Sequence, residues 1–197
     1  MSRERKSLRI ELRARRRAIP ATRRIAAAEA LAAQMLALPF APREGRVAGY
    51  WAMDGEIALH AWQLGLPATV EYCLPVLGND QRLRFAPWRP GQPLVQNRYG
   101  IPEPDVDAGA LLDARAMDMV VLPLVGFDPF GNRLGMGAGC YDRSLDFRRS
   151  SAAPPWLVGA AFSEQQIDAL DAQSWDVGLD AICTDVGTHL VTGAAIA

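Results

Sequence analysis

The sequence predicts an α/β protein: one domain over residues 1–197, with a mostly parallel central sheet and helices on both faces, three layers in all. Two observations carry this. Apolar runs of strand length, the clearest being Met117–Pro123, alternate with segments whose apolar residues fall three or four apart. No repeat, low-complexity tract or linker divides the chain, and 197 residues suffice for one core but not comfortably for two.

The elements follow in order. Ser7–Arg17 reads as a helix, with Leu8 and Leu12 four apart and Arg9, Arg13, Arg16 and Arg17 along another side; Pro20 breaks it. Thr22 is the expected cap of a second helix, with Ile25, Ala28, Leu31 and Met35 at helical spacing and Pro39 and Pro42 closing it. The period then changes: Val47–Trp51 is a short strand, Ile57–Leu64 a helix, Val70–Val76 a second strand and Leu83–Ala86 a third. Pro87–Asp107 is rich in Pro and Gly and reads as loop. After the buried strand Met117–Pro123 comes a glycine-rich stretch, Gly126–Gly139, then a helix from about Tyr141 to Arg149. Trp156–Phe162 and Asp180–Thr184 are strands, with a helix at Glu164–Leu170 between them.

Composition excludes several classes. Hydrophobic residues make up 50% and charged residues 22%, as in ordinary globular proteins. No apolar run reaches the roughly 18 residues of a membrane span. Cys73, Cys140 and Cys183 are widely spaced and the only histidines are His60 and His189, which speaks against a disulfide framework or zinc site and for reduced thiols in a cytoplasmic protein. The net charge of −1 is uneven: the first 24 residues hold ten Arg or Lys against Glu4 and Glu11. Such a segment suits a polyanion or forms a solvated helix face. A secretory signal is not expected, and the patterned helix that follows argues against a transit peptide.

The chemistry is concentrated in Leu122–Leu145, LPLVGFDPFGNRLGMGAGCYDRSL. Gly131, Gly135, Gly137 and Gly139 follow a buried strand and precede a helix. Glycine lets a backbone approach a ligand closely, and a helix start offers N–H groups to phosphate oxygens. Arg133 adds a cation, and Asp142 is suited to cap the helix or bind a hard cation such as magnesium. The spacing is neither that of a P-loop nor that of a Rossmann turn, and on the glycines alone a tight capped turn is the plainer reading.

The whole string FDPFGNRLGMGAGCYDR, however, resembles the signature of the 5-formyltetrahydrofolate cyclo-ligase (methenyltetrahydrofolate synthetase) family, F-D-x-x-G-x-R-L-G-x-G-x-G-[YF]-Y-D-R. Elsewhere RKSLR (Arg5–Arg9) resembles K-x-x-L-R, GYWAMDGEI (Gly49–Ile57) a strand and loop ending in Glu-Ile, IPEP (Ile101–Pro104) the motif I-x-E-P, and WDVGLDAICTD the motif D-x-x-x-D-x-[IV]-[VI]-T-[ED]. Two departures stand out: Cys140 replaces Tyr or Phe, and Ala138 replaces Gly or Lys, where a left-handed φ would make its Cβ crowd a phosphate.

The resemblance implies an enzyme of folate and one-carbon metabolism with magnesium and with ATP as co-substrate. It implies that Arg133 and Glu56 are catalytic. It assigns ATP to Arg5 or Lys6, Arg9, Arg133, Leu134, Gly135, Met136, Gly137, Ala138, Gly139, Cys140 and Tyr141. Folate falls to Trp51, Glu56 and the loop Met136, Gly137, Ala138, Gly139 and Cys140, and magnesium to Asp142 and Asp180. The expected partners are 5-formyltetrahydrofolate and ATP, with no nucleic acid and no membrane, for a cytoplasmic monomer. The alternative is an ATP-binding module of the same fold that has drifted away from folate chemistry, with Cys140 and Ala138 as the signs. An RNA-associated protein using the basic helix ranks last, for want of a recognisable RNA-binding motif.

Overall fold

The computed structural model describes residues 3–191. In chain order its helices are α1 (Arg3–Arg17), α2 (Ala21–Leu36), α3 (His60–Gly65) and α4 (Cys140–Ser144). Its strands are β1 (Gly45–Ala48), β2 (Val70–Leu77), β3 (Leu83–Pro87), β4 (Leu94–Gln96), β5 (Pro102–Pro104) and β6 (Met119–Pro123), then β7 (Gly126–Phe127), β8 (Arg133–Leu134), β9 (Trp156–Ala160), β10 (Ala181–Cys183) and β11 (Thr188–Leu190).

Seven strands form one sheet in the order β11-β10-β9-β6-β1-β2-β3. The five central strands are parallel, and only the edges β3 and β11 run antiparallel to their neighbours. The chain is thus an α/β protein with a mostly parallel sheet.

Strand periodicity divides the core between the two faces of the sheet. Met119 and Val121 of β6 join Val47, Val158 and the α2 residues Leu31 and Met35 in one cluster. Val120 and Leu122 join Ala48, Leu157, Ile182 and, after α4, Leu145 in another. All four residues Met119–Leu122 are buried, as a central strand covered on both sides requires. A third cluster sets Leu12 of α1 against Val125 and Leu134, which seats the basic helix on the β7–β8 hairpin.

Several elements differ from the sequence reading for local reasons. Pro20 (φ −60, ψ 147), not Thr22, occupies the cap position of α2, and no side chain caps it. Ile25 is exposed, and the buried stripe is Ala27, Ala28, Leu31, Ala32 and Met35. Ile57 and Leu59 are buried outside any helix, so α3 starts only at His60. The Pro- and Gly-rich stretch holds the β4–β5 hairpin, fastened where Glu103 Oε2 accepts from Leu77 N (3.1 Å) and Asn97 Nδ2 (3.1 Å). The helix after the glycines breaks into α4 and a 3-10 turn, Asp146–Arg149. Glu164–Leu170 forms only the 3-10 turn Ser163–Gln165, because Ile167 N turns to Phe127 O (2.9 Å) and Leu170 N to Asp128 Oδ2 (2.8 Å). Edge strand β11 was not expected at all.

Candidate functional site

The chain leaves β1 for β2 on one side and β6 for β9 on the other, so the sheet order reverses between two neighbouring strands. Open parallel sheets bind ligands in the crevice outside the carboxyl ends at such a point. A cavity of about 1070 Å³ lies there, reached by the segments after β1 and β6, by the ends of β2 and β3, and by Arg5 and Arg9 of α1.

The segment after β6 is built around Asp128. Its fully buried carboxylate accepts from Phe130 N (3.0 Å), Asn132 N (3.0 Å), Asn132 Nδ2 (2.9 Å) and Leu170 N (2.8 Å). This closes the turn that carries the chain into Arg133. Gly137 (φ 103) and Gly139 (φ 69) are left-handed, and a Cβ on Gly139 would lie 2.9 Å from Arg143 Nη1. Ala138 is not among the left-handed residues, so its Cβ has no backbone conflict.

The cleft is lined by arginines and acids together, Arg5, Arg9 and Arg133 among them beside Glu56, Asp142 and Asp176. Arg9 donates through Nε to Gly135 O (2.7 Å), which fixes the glycine segment to α1, while its Nη1 is buried with no hydrogen-bond partner among the described residues. Arg133 pairs through Nη2 with Asp142, and its Nε is likewise buried and unpartnered. Desolvation, and after it the charge of Arg5, lower the Arg9 guanidinium below its ordinary value, though it stays cationic. Cations crowded with spare donors suit a polyanionic ligand.

Of the residues expected to serve the site, Arg5, Arg9, Trp51, Glu56, Arg133 and Gly135–Asp142 all line the cavity. Three do not. Lys6 is exposed outside the lining, so of the two N-terminal candidates only Arg5 reaches the cleft, where it pairs with Asp176 (2.9 Å). Leu134 is fully buried in the cluster under α1 and presents no side chain to the cavity. Asp180 lies at the start of β10 with its carboxylate occupied: Arg148 Nη2 contacts both oxygens (2.9 Å each) and Leu157 N donates to one (2.7 Å). Asp142 does reach the cleft. It caps nothing, because Gly139 holds the cap position of α4, and its Oδ1 takes both Arg133 and Val177 N (3.2 Å).

The second lobe of the site follows β1. Trp51 is not core; it is 36% exposed and packs edge-on against Trp88 (5.8 Å). Glu56 is nearly covered, its side chain 11% exposed; Oε2 accepts from Met53 N (2.9 Å) and Oε1 lies 3.7 Å from Arg16 Nη1. Burial pushes the Glu56 carboxyl above its ordinary value, against the opposing pull of the Met53 hydrogen bond and the Arg16 charge.

Sequence reasoning missed the anchor of this lobe. Asp54 binds Arg13 Nε (2.8 Å), Arg16 Nη2 (2.8 Å) and Arg17. The only hint was the turn-forming pair Asp54-Gly55. Burial opposes ionisation of Asp54, but hydrogen bonds from Arg13 and Arg17, with the charges of Arg13 and Arg16, hold its carboxyl at about 2 against 3.8. Because the folded value is the lower one, the clamp's contribution of about 2 kcal/mol is present above about pH 4 and is lost as pH falls toward 2. Denaturant unfolding at pH 6 and pH 2.5 should show that loss in the parent protein and not in Asp54→Asn. The cysteines differ by place: burial pushes Cys73 to about 12 and Cys183 to about 11, whereas Cys140 lines the cleft.

Among the described residues no helix is long and apolar enough to cross a membrane. Residues 1–185 match the 5-formyltetrahydrofolate cyclo-ligase family. The 5-formyltetrahydrofolate cyclo-ligase of Haemophilus influenzae is 34% identical over 179 residues, covering 89% of this chain and 95% of that one. The Escherichia coli K12 protein of the same name is 32% identical over 178 residues, 88% of this chain and 96% of that one. Among solved structures, the 5,10-methenyltetrahydrofolate synthetase of Aquifex aeolicus superposes with a TM-score of 0.79 at 25% identity, over 95% of this chain and 93% of the other. With a signature-bearing cleft at the switch point and likeness over nearly its whole length, the chain belongs to the 5-formyltetrahydrofolate cyclo-ligase family.

Proposed function

We propose that the chain converts 5-formyltetrahydrofolate and ATP into 5,10-methenyltetrahydrofolate, ADP and phosphate, with magnesium on the triphosphate, as a cytoplasmic monomer. The observation that carries the reading is the pair of guanidinium groups, Arg9 and Arg133, with buried spare donors in the same cleft as the nearly covered carboxyl of Glu56.

The chemistry asks mainly for positioning and charge. The formyl oxygen is a poor leaving group because amide resonance holds it to carbon. It attacks the γ-phosphorus and the bond to ADP breaks. N10 of the folate then attacks the activated carbon, the carbon–oxygen bond breaks, and phosphate departs with the former formyl oxygen. The N10 proton leaves with the phosphate or to water. Arg133 and Arg9 neutralise charge on the phosphoryl oxygens, and the Gly135–Gly139 backbone allows close approach. Arg5 adds a cation at the mouth. The carboxylate of Glu56 accepts from the pterin's amino and ring N–H groups, and Trp51 offers a flat apolar face beside it.

Magnesium fits this chain through Asp142, whose Oδ2 makes neither of the contacts held by Oδ1. Bound there, magnesium would neutralise charge on the triphosphate. Asp142→Ala is expected to raise the magnesium concentration for half-maximal rate by about tenfold or more. Unchanged magnesium dependence and turnover would remove Asp142 as a ligand.

The reaction is followed by absorbance in the methenyl-folate band after purified protein meets 5-formyltetrahydrofolate and Mg-ATP. A rise that requires protein, ATP and magnesium together is the expected result. A flat trace from folded protein that still binds ATP would overturn the reading.

A further inference from the structure

Arg16 lies in the basic stretch that the sequence leaves between polyanion binding and a solvated helix face, yet it is 0% exposed. Its guanidinium reaches the turn after β1 and the segment after β6. Nη1 donates to Leu124 O (3.0 Å) and lies 3.7 Å from Glu56 Oε1, and Nη2 donates to Asp54 Oδ2 (2.8 Å). The turn itself is unusual. Asp54 (φ 52) and Gly55 (φ 76) are consecutive left-handed residues, and the turn closes on itself through Glu56 N to Met53 O (2.9 Å) and Met53 N to Glu56 Oε2 (2.9 Å). A non-glycine residue stays left-handed only where its surroundings hold it there. Arg24 adds a strut by donating to Gly55 O (2.6 Å) and to Arg16 O (2.6 Å).

From these contacts we infer that Arg16 is a positioning residue for folate binding, acting through Glu56: it fixes where that carboxylate points and favours its charged form. The inference rests on the reading of Glu56 as the pterin ligand. Asp54 plays two parts. It orients Arg16 by accepting from Nη2, and its own negative charge opposes that of Glu56. The groups that face Glu56 are therefore Arg16 from α1, Asp54 from the same turn, Tyr50 after β1 and Tyr141 from α4. Tyr50 is buried and Tyr141 is partly buried at the cleft; desolvation raises both hydroxyls above the ordinary value and leaves them neutral across the working range, so Arg16 and Asp54 set the balance. Arg9 and Arg16 stand two helical turns apart, one on the glycine segment and one on the folate turn, so α1 joins the two halves of the site.

The test is the pH dependence of KM for 5-formyltetrahydrofolate, with KM for ATP measured alongside, in Arg16→Gln, Arg16→Lys, Asp54→Asn and Glu56→Gln. Folate binding should weaken as pH falls through the Glu56 titration. Arg16→Gln removes a stabilising cation and should move that limb to higher pH by about one unit, with Arg16→Lys recovering part of the shift. Asp54→Asn removes a like charge and should move the limb to lower pH. Glu56→Gln should abolish the limb and raise the folate KM by about tenfold or more. KM for ATP should stay within about twofold throughout. Simple structural damage would not shift the two limbs in opposite directions. Should Arg16→Gln not fold, Arg16→Lys and Asp54→Asn decide: limbs that stay in place, or move together, overturn the role of Arg16. A Glu56→Gln enzyme with unchanged folate KM would instead overturn the assignment of Glu56 itself.

Discussion

Arg133→Ala is expected to lower kcat for methenyl-folate formation by about 10³-fold, or about 4 kcal/mol of transition-state stabilisation. Arg133 is the most deeply set cation of the cleft, 7% exposed, with one arm on Asp142 and a buried Nε still free to donate. In the proposed step a charge buried there would act most strongly as negative charge shifts between the γ-phosphoryl oxygens and the leaving ADP. Arg133→Lys should recover only a small part, because an ammonium is a point charge and cannot span Asp142 and a phosphoryl oxygen with one planar fork. Single-turnover absorbance with saturating ATP isolates the chemical step. A kcat within tenfold of the parent protein would remove Arg133 from the catalytic group. The fold itself should survive, since Asp142 keeps the Val177 amide and is partly open to water.

Asp128→Ala should be the most damaging change to stability outside the hydrophobic clusters, at about 3 kcal/mol and roughly 10 °C in Tm. Four N–H groups converge on this one buried carboxylate, and alanine leaves all four without their acceptor. Two of those donors shape the turn into Arg133, and the Leu170 amide ties the segment after Ser163–Gln165 to the same point. Activity should therefore fall along with stability, even though Asp128 touches no substrate in the proposed mechanism. Asp128→Asn keeps the shape but sets an amide NH₂ against donors, so it should restore only part of the loss. Calorimetric unfolding checks this directly; a Tm within about 2 °C of the parent protein would refute it.

The residues expected at the site gather in one cleft where they are contiguous in the chain. The run from Arg133 to Asp142 is nearly continuous along one segment, so its glycines, arginine and acid were legible together, and all but Leu134 line the cleft. Sequence does not show the contacts of a residue whose partner lies far away in the chain. Arg16 and Asp54 are 38 residues apart and Arg148 and Asp180 are 32 apart, and neither pairing leaves a mark in local spacing. Asp180 was therefore assigned to metal although Arg148 occupies it, and the arginines of α1 were divided between phosphate and solvent although Arg13, Arg16 and Arg17 hold the turn before Glu56.

The amino-acid sequence by itself determined the α/β class, the central buried strand and the stretch that builds one wall of the cleft, because hydrophobic period and glycine placement are local properties. Only the tertiary structure decided the strand order that places the cleft between β1 and β6, and which of the many arginines line it. Guanidinium groups look alike in a sequence. What separates Arg9 and Arg133, which line the cleft, from the Arg13, Arg16 and Arg17 clamp on Asp54 is which acceptors the fold brings within reach of each.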